Sequence, residues 1–233
     1  MHIEPGIIAQ AKVMAANAGA AGLLLVYAKD LIKNPADIVR MLLAAVFFSL
    51  FMQSFHVNVG PSELHFVGAM VIYLTLGFVP ALIGFAVGLL LQGVLFEPLD
   101  LPHLAVNSLS LIVPLIAVHY TLGRKLREQE GVITWKNILK LDALYYSGVT
   151  AMVGFWLAMG EVATPLSAWA TFAASYLVIV ACEPPLTYAA LRLLTLPGSV
   201  TATPPAGGCP SQVAAITEQR QAEIQREISE RNA

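Results

Sequence analysis

The chain is a succession of apolar stretches separated by short polar segments. Stretches long enough to cross a hydrocarbon core of ~30 Å recur about seven times. They fall near residues 12–29, 38–55, 64–79, 80–96, 107–123, 141–160 and 166–196. The consecutive prolines Pro184-Pro185 predict a break in the last stretch. The pattern therefore predicts an all-α fold, a polytopic membrane bundle of about seven transmembrane helices.

Composition strengthens the prediction of a membrane protein. Hydrophobic residues make up 57% of the 233 positions and charged residues only 12%, whereas soluble domains contain about 25% charged residues. This balance excludes a single soluble domain, and nucleic acid is not expected as a partner. The opening segment, Met1 to Ala11, lacks a basic region and contains Glu4-Pro5-Gly6, so a cleavable signal peptide is not expected.

The basic residues predict how the bundle is oriented. In a seven-span arrangement with the N-terminus outside, all Lys and Arg residues except Lys12 fall on one side, which is therefore the cytoplasmic side. Residues 1–196 then form the transmembrane domain, and residues 197–233 form a cytoplasmic linker and polar helical tail. The outer face carries acidic residues that would concentrate cations, namely Glu4, Glu63, Glu97, Asp100 and Glu161.

The first two residues can chelate a metal ion. The Met1 amine, the backbone nitrogen of His2 and His2 Nδ1 can close a five-membered and a six-membered ring around one ion. These three nitrogens lie roughly in a plane, and a fourth would complete a square. Planar nitrogen coordination favours Cu(II) or Ni(II) over Zn(II), which has no such geometric preference.

His65 is a candidate for the fourth nitrogen. It follows a glycine-bearing loop at residues 59–64 and is expected to begin an apolar helix, where its ring could point inward. An interfacial or hydrogen-bonded role is the usual one for a lone histidine near a helix end, and it is our interpretation of His56, His103 and His119. For His65 the residues alone leave both roles open.

Several segments resemble one family of transport proteins. They are the Met-His-Ile-x-x-Gly start, His65-Phe66-Val67-Gly68, and Leu91-Gln92-Gly93-Val94-Leu95-Phe96 followed by Ala105-Val106-Asn107-Ser108. Over about residues 1–196 the chain resembles the cobalt/nickel substrate-capture subunits (the CbiM/NikM family) of energy-coupling-factor transporters. The resemblance implies that the N-terminal segment inserts into the bundle. It also implies a metal held by the amine of Met1, two nitrogens of His2, and His65.

The loop before His65 departs from the family pattern. The family often has Gly-Gly-Thr-Ser-Gly-His, whereas this chain has Gly60-Pro61-Ser62-Glu63-Leu64-His65. Glu63 could accept a hydrogen bond from a ligand imidazole and orient it, or it could be a solvated loop carboxylate. Glu4 could offset the charge of the ion or face water. The choice between Co2+ and Ni2+ stays open.

Polar residues inside the spans are expected to support the bundle. Gln92 and Asn107 stand where the family has small polar residues beside the cavity, and we favour hydrogen bonds between helices or support of the His65 loop over metal coordination. Glu183 occupies an intramembrane position, where a carboxylate needs a partner. We expect a structural pairing role for it.

The expected function is metal transport without catalysis. The chain contains no Walker phosphate loop, no zinc-protease helix and no nucleophile elbow. The resemblance implies a divalent metal ion as transported ligand, no cofactor, and a place in the inner (plasma) membrane. It also implies a transmembrane coupling subunit, two ATPase subunits and often a small accessory membrane subunit. The alternatives are an intramembrane metalloenzyme and a membrane scaffold that transports nothing.

Overall fold

The computed structural model describes residues 7–59, 62–128, 134–161 and 163–195, and these are mostly helical. The helices are α1 (Gln10–Lys33), α2 (Pro35–Ser54), α3 (Ala69–Leu76), α4 (Phe78–Leu95), α5 (Leu104–Val118), α6 (Arg124–Glu128), α7 (Trp135–Ala158) and α8 (Leu166–Thr195). Two short antiparallel strands, β1 (His56–Val59) and β2 (Ser62–His65), join α2 to α3. A 3₁₀ turn (Pro98–His103) precedes α5, and a π-helical turn (His119–Gly123) follows it.

Among the residues that the structure describes, five helical stretches are long and apolar enough to cross a bilayer. They are Gln10–Lys33, Pro35–Ser54, Phe78–Leu95, Pro98–Leu126 and Leu166–Leu194. Helix α7 also has a spanning length of 24 residues, but its N-terminal half includes Lys136, Lys140 and Asp142. Helix α3 has eight residues and extends only about 12 Å at ~1.5 Å per residue. The multi-pass helical membrane fold is confirmed, with α3 too short to span by itself.

The predicted helix start at His65 is wrong. His65 is the last residue of β2, and α3 begins at Ala69. Between them, Gly68 has a φ of 63°, and a Cβ atom there would lie 2.4 Å from a ring carbon of Phe51. Only glycine combines this left-handed conformation with so close an approach. The chain therefore turns sharply after the hairpin before it becomes helical.

The predicted break at Pro184-Pro185 is also wrong, because α8 is helical through both prolines. Each proline lacks an N–H group, so the carbonyls of Val180 and Ala181 lose their usual helical donors. A break in the helix would leave additional backbone groups without hydrogen-bond partners in an apolar environment. This would cost more free energy than the two hydrogen bonds that the prolines already remove. The prolines are therefore accommodated inside one continuous helix.

Helices α2 and α4 pack closely against each other. A Cβ atom on Gly88 would lie 2.6 Å from Phe48 Cδ1 and 2.9 Å from the Ala45 carbonyl oxygen. The absence of a side chain at Gly88 lets the two helices approach closely. Because the β1–β2 hairpin follows directly from α2, this tight helix pair supports the hairpin at its base.

Candidate metal-binding site

A short hairpin places His65 within the bundle. In the antiparallel pairing, His56 lies opposite His65, and Val59 lies opposite Ser62. Just beyond β2, the Phe66 N–H group donates to the Phe55 carbonyl at 3.1 Å. Strand pairing on one side and the end of α2 on the other therefore fix the backbone of the histidine segment.

The His65 ring is buried and contacts a carboxylate. Its Nε2 lies 2.9 Å from Glu63 Oε2, whereas its Nδ1 lies 3.5 Å from the Met52 carbonyl oxygen. Residues two positions apart on a strand point to the same face, which brings Glu63 beside His65. The Glu63 side chain is 27% exposed, so it reaches from the bundle surface to the buried ring. Of the two alternatives for Glu63, the structure shows the hydrogen bond to the imidazole.

This contact determines how the imidazole could bind a metal. A neutral imidazole carries hydrogen on one nitrogen and a lone pair on the other. When Nε2–H donates to Glu63, the lone pair is on Nδ1, and Glu63 then fixes the tautomer and the ring orientation as a carboxylate does for ligand histidines. The other possibility is that a metal replaces Glu63 at Nε2. In the first case Glu63 orients the ligand ring, and in the second case it must leave Nε2 before the metal binds.

The other described histidines differ from His65 in their surroundings. His56 is exposed, and its ring centroid lies 6.1 Å from that of His65. His103 is buried, and neither of its ring nitrogens has a hydrogen-bond partner among the described residues. His119 Nδ1 and the Tyr73 hydroxyl are hydrogen-bonded at 2.9 Å, and the His119 ring stacks on Phe78 with centroids 3.7 Å apart. The hydrogen-bonded role predicted for His119 is confirmed.

Gln92 joins two helices and makes no direct hydrogen bond to His65. Its Oε1 accepts from Ser49 Oγ at 3.1 Å, and its Nε2 donates to Gln53 Oε1 at 2.9 Å. Both partners are on α2, so the predicted helix–helix hydrogen bonds of Gln92 are confirmed. Asn107 is buried on the first turn of α5, where it lines a small cavity together with Asp100.

Glu183 is fully buried and hydrogen-bonded. Its Oε1 accepts from the Met70 N–H group at 2.8 Å, and the Tyr146 hydroxyl donates to its Oε2. Glu183 therefore has the pairing partners that an intramembrane carboxylate needs, and they are a backbone amide and a phenol. A second carboxyl group, Asp142 on α7, is also buried, and it is not among the residues predicted from the sequence. A single acidic residue in the apolar run Leu-Asp-Ala-Leu-Tyr-Tyr was the signal that could have revealed it.

The predicted N-terminal chelate, Met1 and His2, lies outside the described residues, as does Glu4. Immediately after them, the Ile7 carbonyl accepts a hydrogen bond of 2.9 Å from the Glu161 N–H group, and Ile8 is buried in the core. Within the described part of the chain, no three His, Cys, Asp or Glu side chains are placed to hold a metal ion. The ligand set of Met1, His2 and His65 therefore stays a prediction.

Comparison with solved structures identifies the class of fold. The chain is similar to a structure titled as a truncated transition metal transporter, with a TM-score of 0.67 and 22% identity over 83% of this chain and 98% of that chain. A second structure, titled as a transition metal transporter, has the same TM-score and identity over 83% of this chain and 92% of that chain. The fold is thus that of a multi-pass membrane protein of the type found in metal transporters.

The family follows from the sequence itself. Residues 2–197 match the family model described as the cobalt uptake substrate-specific transmembrane region, CbiM. The chain therefore belongs to this family, and it is a membrane component of transition-metal uptake. The predicted family resemblance is confirmed. The comparison with curated proteins gives no significant match.

Proposed function

We propose that this chain captures Co2+ or Ni2+ for import by an energy-coupling-factor transporter. The observation that carries the proposal is the buried His65 ring, oriented by Glu63 on a fixed hairpin, in a chain of the cobalt uptake family. A histidine that only faced the membrane interface would be exposed, and it would not need a carboxylate to orient its ring. The metal ion is the transported substrate of this site.

The proposed ligands are the Met1 amine, the backbone nitrogen and Nδ1 of His2, and one nitrogen of His65. The hydrogen bond of Ile7 to Glu161 and the burial of Ile8 support an N-terminal segment held against the bundle. Affinity alone would favour copper, so coordination geometry and metal supply must select the substrate. Elemental analysis and X-ray absorption of protein purified from cells grown with both metals would distinguish Co2+ from Ni2+.

Transport would require partner chains. We infer a transmembrane coupling subunit and two ATPase subunits, with a small accessory membrane subunit in some assemblies, because the sequence has no phosphate-binding loop. The distribution of basic residues supports an N-terminus outside the plasma membrane and a cytoplasmic C-terminus. In this arrangement residues 1–196 form the capture domain with the inserted N-terminal segment, and residues 197–233 form a cytoplasmic linker and tail.

Metal stoichiometry and uptake test the proposal together. Purified protein should bind one Co2+ or Ni2+ per chain, and cells should accumulate the metal only when the coupling and ATPase subunits are co-expressed. A protein that binds no metal would contradict the capture role. Metal-dependent hydrolysis of an added substrate would instead favour the metalloenzyme alternative.

Glu63→Ala should weaken metal binding by roughly 10–100-fold, the usual effect of removing a carboxylate that orients a ligand histidine. Glu63 is the hydrogen-bond partner of His65 Nε2. Without it, neither the tautomer nor the orientation of the His65 ring would be fixed. Competition titration with a metal chelator measures the change. Glu97→Ala, which removes an exposed acidic residue elsewhere, is the control and should bind nearly as wild type. Equal affinities for wild type and Glu63→Ala would mean that the hydrogen bond between Glu63 and His65 does not support metal binding.

Metal affinity should fall steeply as the solution is acidified through about pH 8 to 6, the range set by reference pKa values of the amino terminus and histidine. The proposed ligands must lose protons before they bind, so affinity is greatest above their pKa values and decreases below them. Titrations in buffers of different ionisation enthalpy would count the protons released. Release of less than one proton per metal at neutral pH would show that the His2 backbone amide is not a ligand.

A further inference from the structure

Two carboxyl groups are buried together in the bundle. Asp142 on α7 and Glu183 on α8 are both fully buried. Asp142 lies one helical turn before Tyr146, whose hydroxyl donates to Glu183, so the two carboxyl groups face the same part of the bundle. No described Lys, Arg or His forms a salt bridge with either of them. Intramembrane acids are costly unless they are paired or neutral, so this pair calls for a physical explanation.

The groups around the pair donate hydrogen bonds to only one of its members. Glu183 accepts from the Met70 N–H group of α3 and from the Tyr146 hydroxyl of α7. Among the described residues, neither oxygen of Asp142 receives a hydrogen bond. The other polar side chains facing the pair are neutral, namely Tyr145 on α7 and Tyr176 and Thr187 on α8.

A proton accounts for this asymmetry. Two ionised carboxylates are acceptors only, so they repel each other and cannot hydrogen-bond, whereas one proton joins them. Glu183 has two donors to stabilise a negative charge, and Asp142 has none among the described residues. The proton therefore belongs on Asp142, which donates it to Glu183.

The anion in turn holds the segment that follows His65. Met70 and Gly68 are at the N-terminus of α3, where unpaired N–H groups and the helix dipole favour a negative charge. Gly68 is also fixed by its contact with the Phe51 ring, and His65 is only three residues earlier. Movement of Glu183 would thus be transmitted through a short, sterically restricted turn to the histidine.

We propose that Asp142 and Glu183 form a proton-binding pair inside the bundle, and that Glu183 positions the His65 segment by capping α3. The ligand of this site is a single proton. The part that concerns metal affinity rests on the proposed function, whereas the proton and the cap do not. Glu183 is a positioning residue, since it acts on His65 through α3 and not by contact.

Infrared spectroscopy of the purified full-length protein at pH 7 tests the proton. The wild type should show the C=O stretch of one protonated carboxyl group that is missing from the Asp142→Asn/Glu183→Gln double variant. Asp142→Asn should lose this band, because the amide N–H of asparagine can donate to Glu183 in place of the carboxyl O–H. Glu183 then stays ionised, and no protonated carboxyl group remains. Thr187→Val, a nearly isosteric change beside Glu183, is the control and should keep the band. A wild type without the band, or Asp142→Asn with it, would overturn the proton-binding pair.

Amide hydrogen exchange of residues 66–76, followed by mass spectrometry without metal, tests the cap. Glu183→Ala removes the acceptor of the Met70 N–H group and should speed exchange in this segment at least tenfold. Glu183→Gln retains a carbonyl acceptor and should stay within about threefold of wild type, as should Thr187→Val. Unchanged exchange in Glu183→Ala would overturn the cap. If Glu183→Ala does not fold, the infrared result of Asp142→Asn decides the proton pair, and rapid exchange at the Met70 amide of the wild type would overturn the cap.

Metal titration of the same variants then tests the link to His65. Glu183→Ala should weaken Co2+ or Ni2+ binding at least tenfold, and Glu183→Gln should restore it to within about threefold of wild type. Normal affinity in a folded Glu183→Ala would refute the positioning role. The infrared and exchange measurements contain no metal, so a protein that never binds metal would contradict the proposed function and leave the proton pair intact.

Discussion

Extending the chain by a few residues before Met1 should weaken Co2+ or Ni2+ binding on the order of 1000-fold, or about 4 kcal/mol. In the proposed site the Met1 amine is itself a ligand, and the His2 backbone nitrogen closes both chelate rings. An extension converts the amine into an amide and removes the five-membered ring. Chelator-competition titration of purified protein measures the affinity, and His2→Ala should have a similar effect because it removes the six-membered ring.

The matched control is the same extension added after Ala233, which should leave affinity unchanged. N-terminal sequencing of the purified protein must show that Met1 is its first residue. Circular dichroism should show equal helix content in all forms, since the described core begins at Ile7. An N-terminally extended protein that binds the metal with wild-type affinity would exclude the chelate.

Replacing His65 by alanine should weaken metal binding by about 100-fold, or about 2.8 kcal/mol. The ring is buried beside the Met52 carbonyl and is oriented by Glu63, so its loss removes a prepared ligand that water cannot easily replace. The three N-terminal nitrogens would still bind, which is why the effect is smaller than that of blocking the amine. The same competition titration measures it.

His56→Ala provides a matched control. His56 pairs with His65 across the hairpin and its ring lies 6.1 Å away, but its side chain is exposed. Its removal should change affinity by less than tenfold, or about 1.4 kcal/mol. The same limit applies to His103→Ala. Equal losses for His56→Ala and His65→Ala would contradict a single histidine ligand and indicate that several histidines share the ion.

Much of the fold could be predicted from the sequence because the membrane imposes a simple rule. A spanning helix needs about 20 apolar residues, so the length of each apolar stretch indicates a span. The predicted stretches at 12–29, 38–55 and 141–160 correspond closely to α1, α2 and α7. The family, too, was recognisable from short motifs. The predicted Met1 and His2 ligands remain to be tested.

The immediate surroundings of His65 could not be predicted so well. A four-residue strand has too few positions to show a clear alternation of apolar and polar residues. The sequence pattern therefore predicts a loop and a helix start where the structure has a hairpin. Its strands form because they pair with each other, a contact that local pattern does not encode. From the sequence, Glu63 could be either a hydrogen-bond partner of His65 or a solvated carboxylate. The structure shows the hydrogen bond, because the strand brings both side chains to the same face.

The sequence by itself thus determined the membrane setting, most helix boundaries, the family and the candidate ligands, since each depends on local composition or on a contiguous motif. The tertiary structure alone decided where distant polar groups meet. Met70 and Glu183 are 113 positions apart, and no periodicity relates either of them to Asp142. Their association depends on how α3, α7 and α8 pack, because burial leaves each polar group dependent on the partners that neighbouring helices supply.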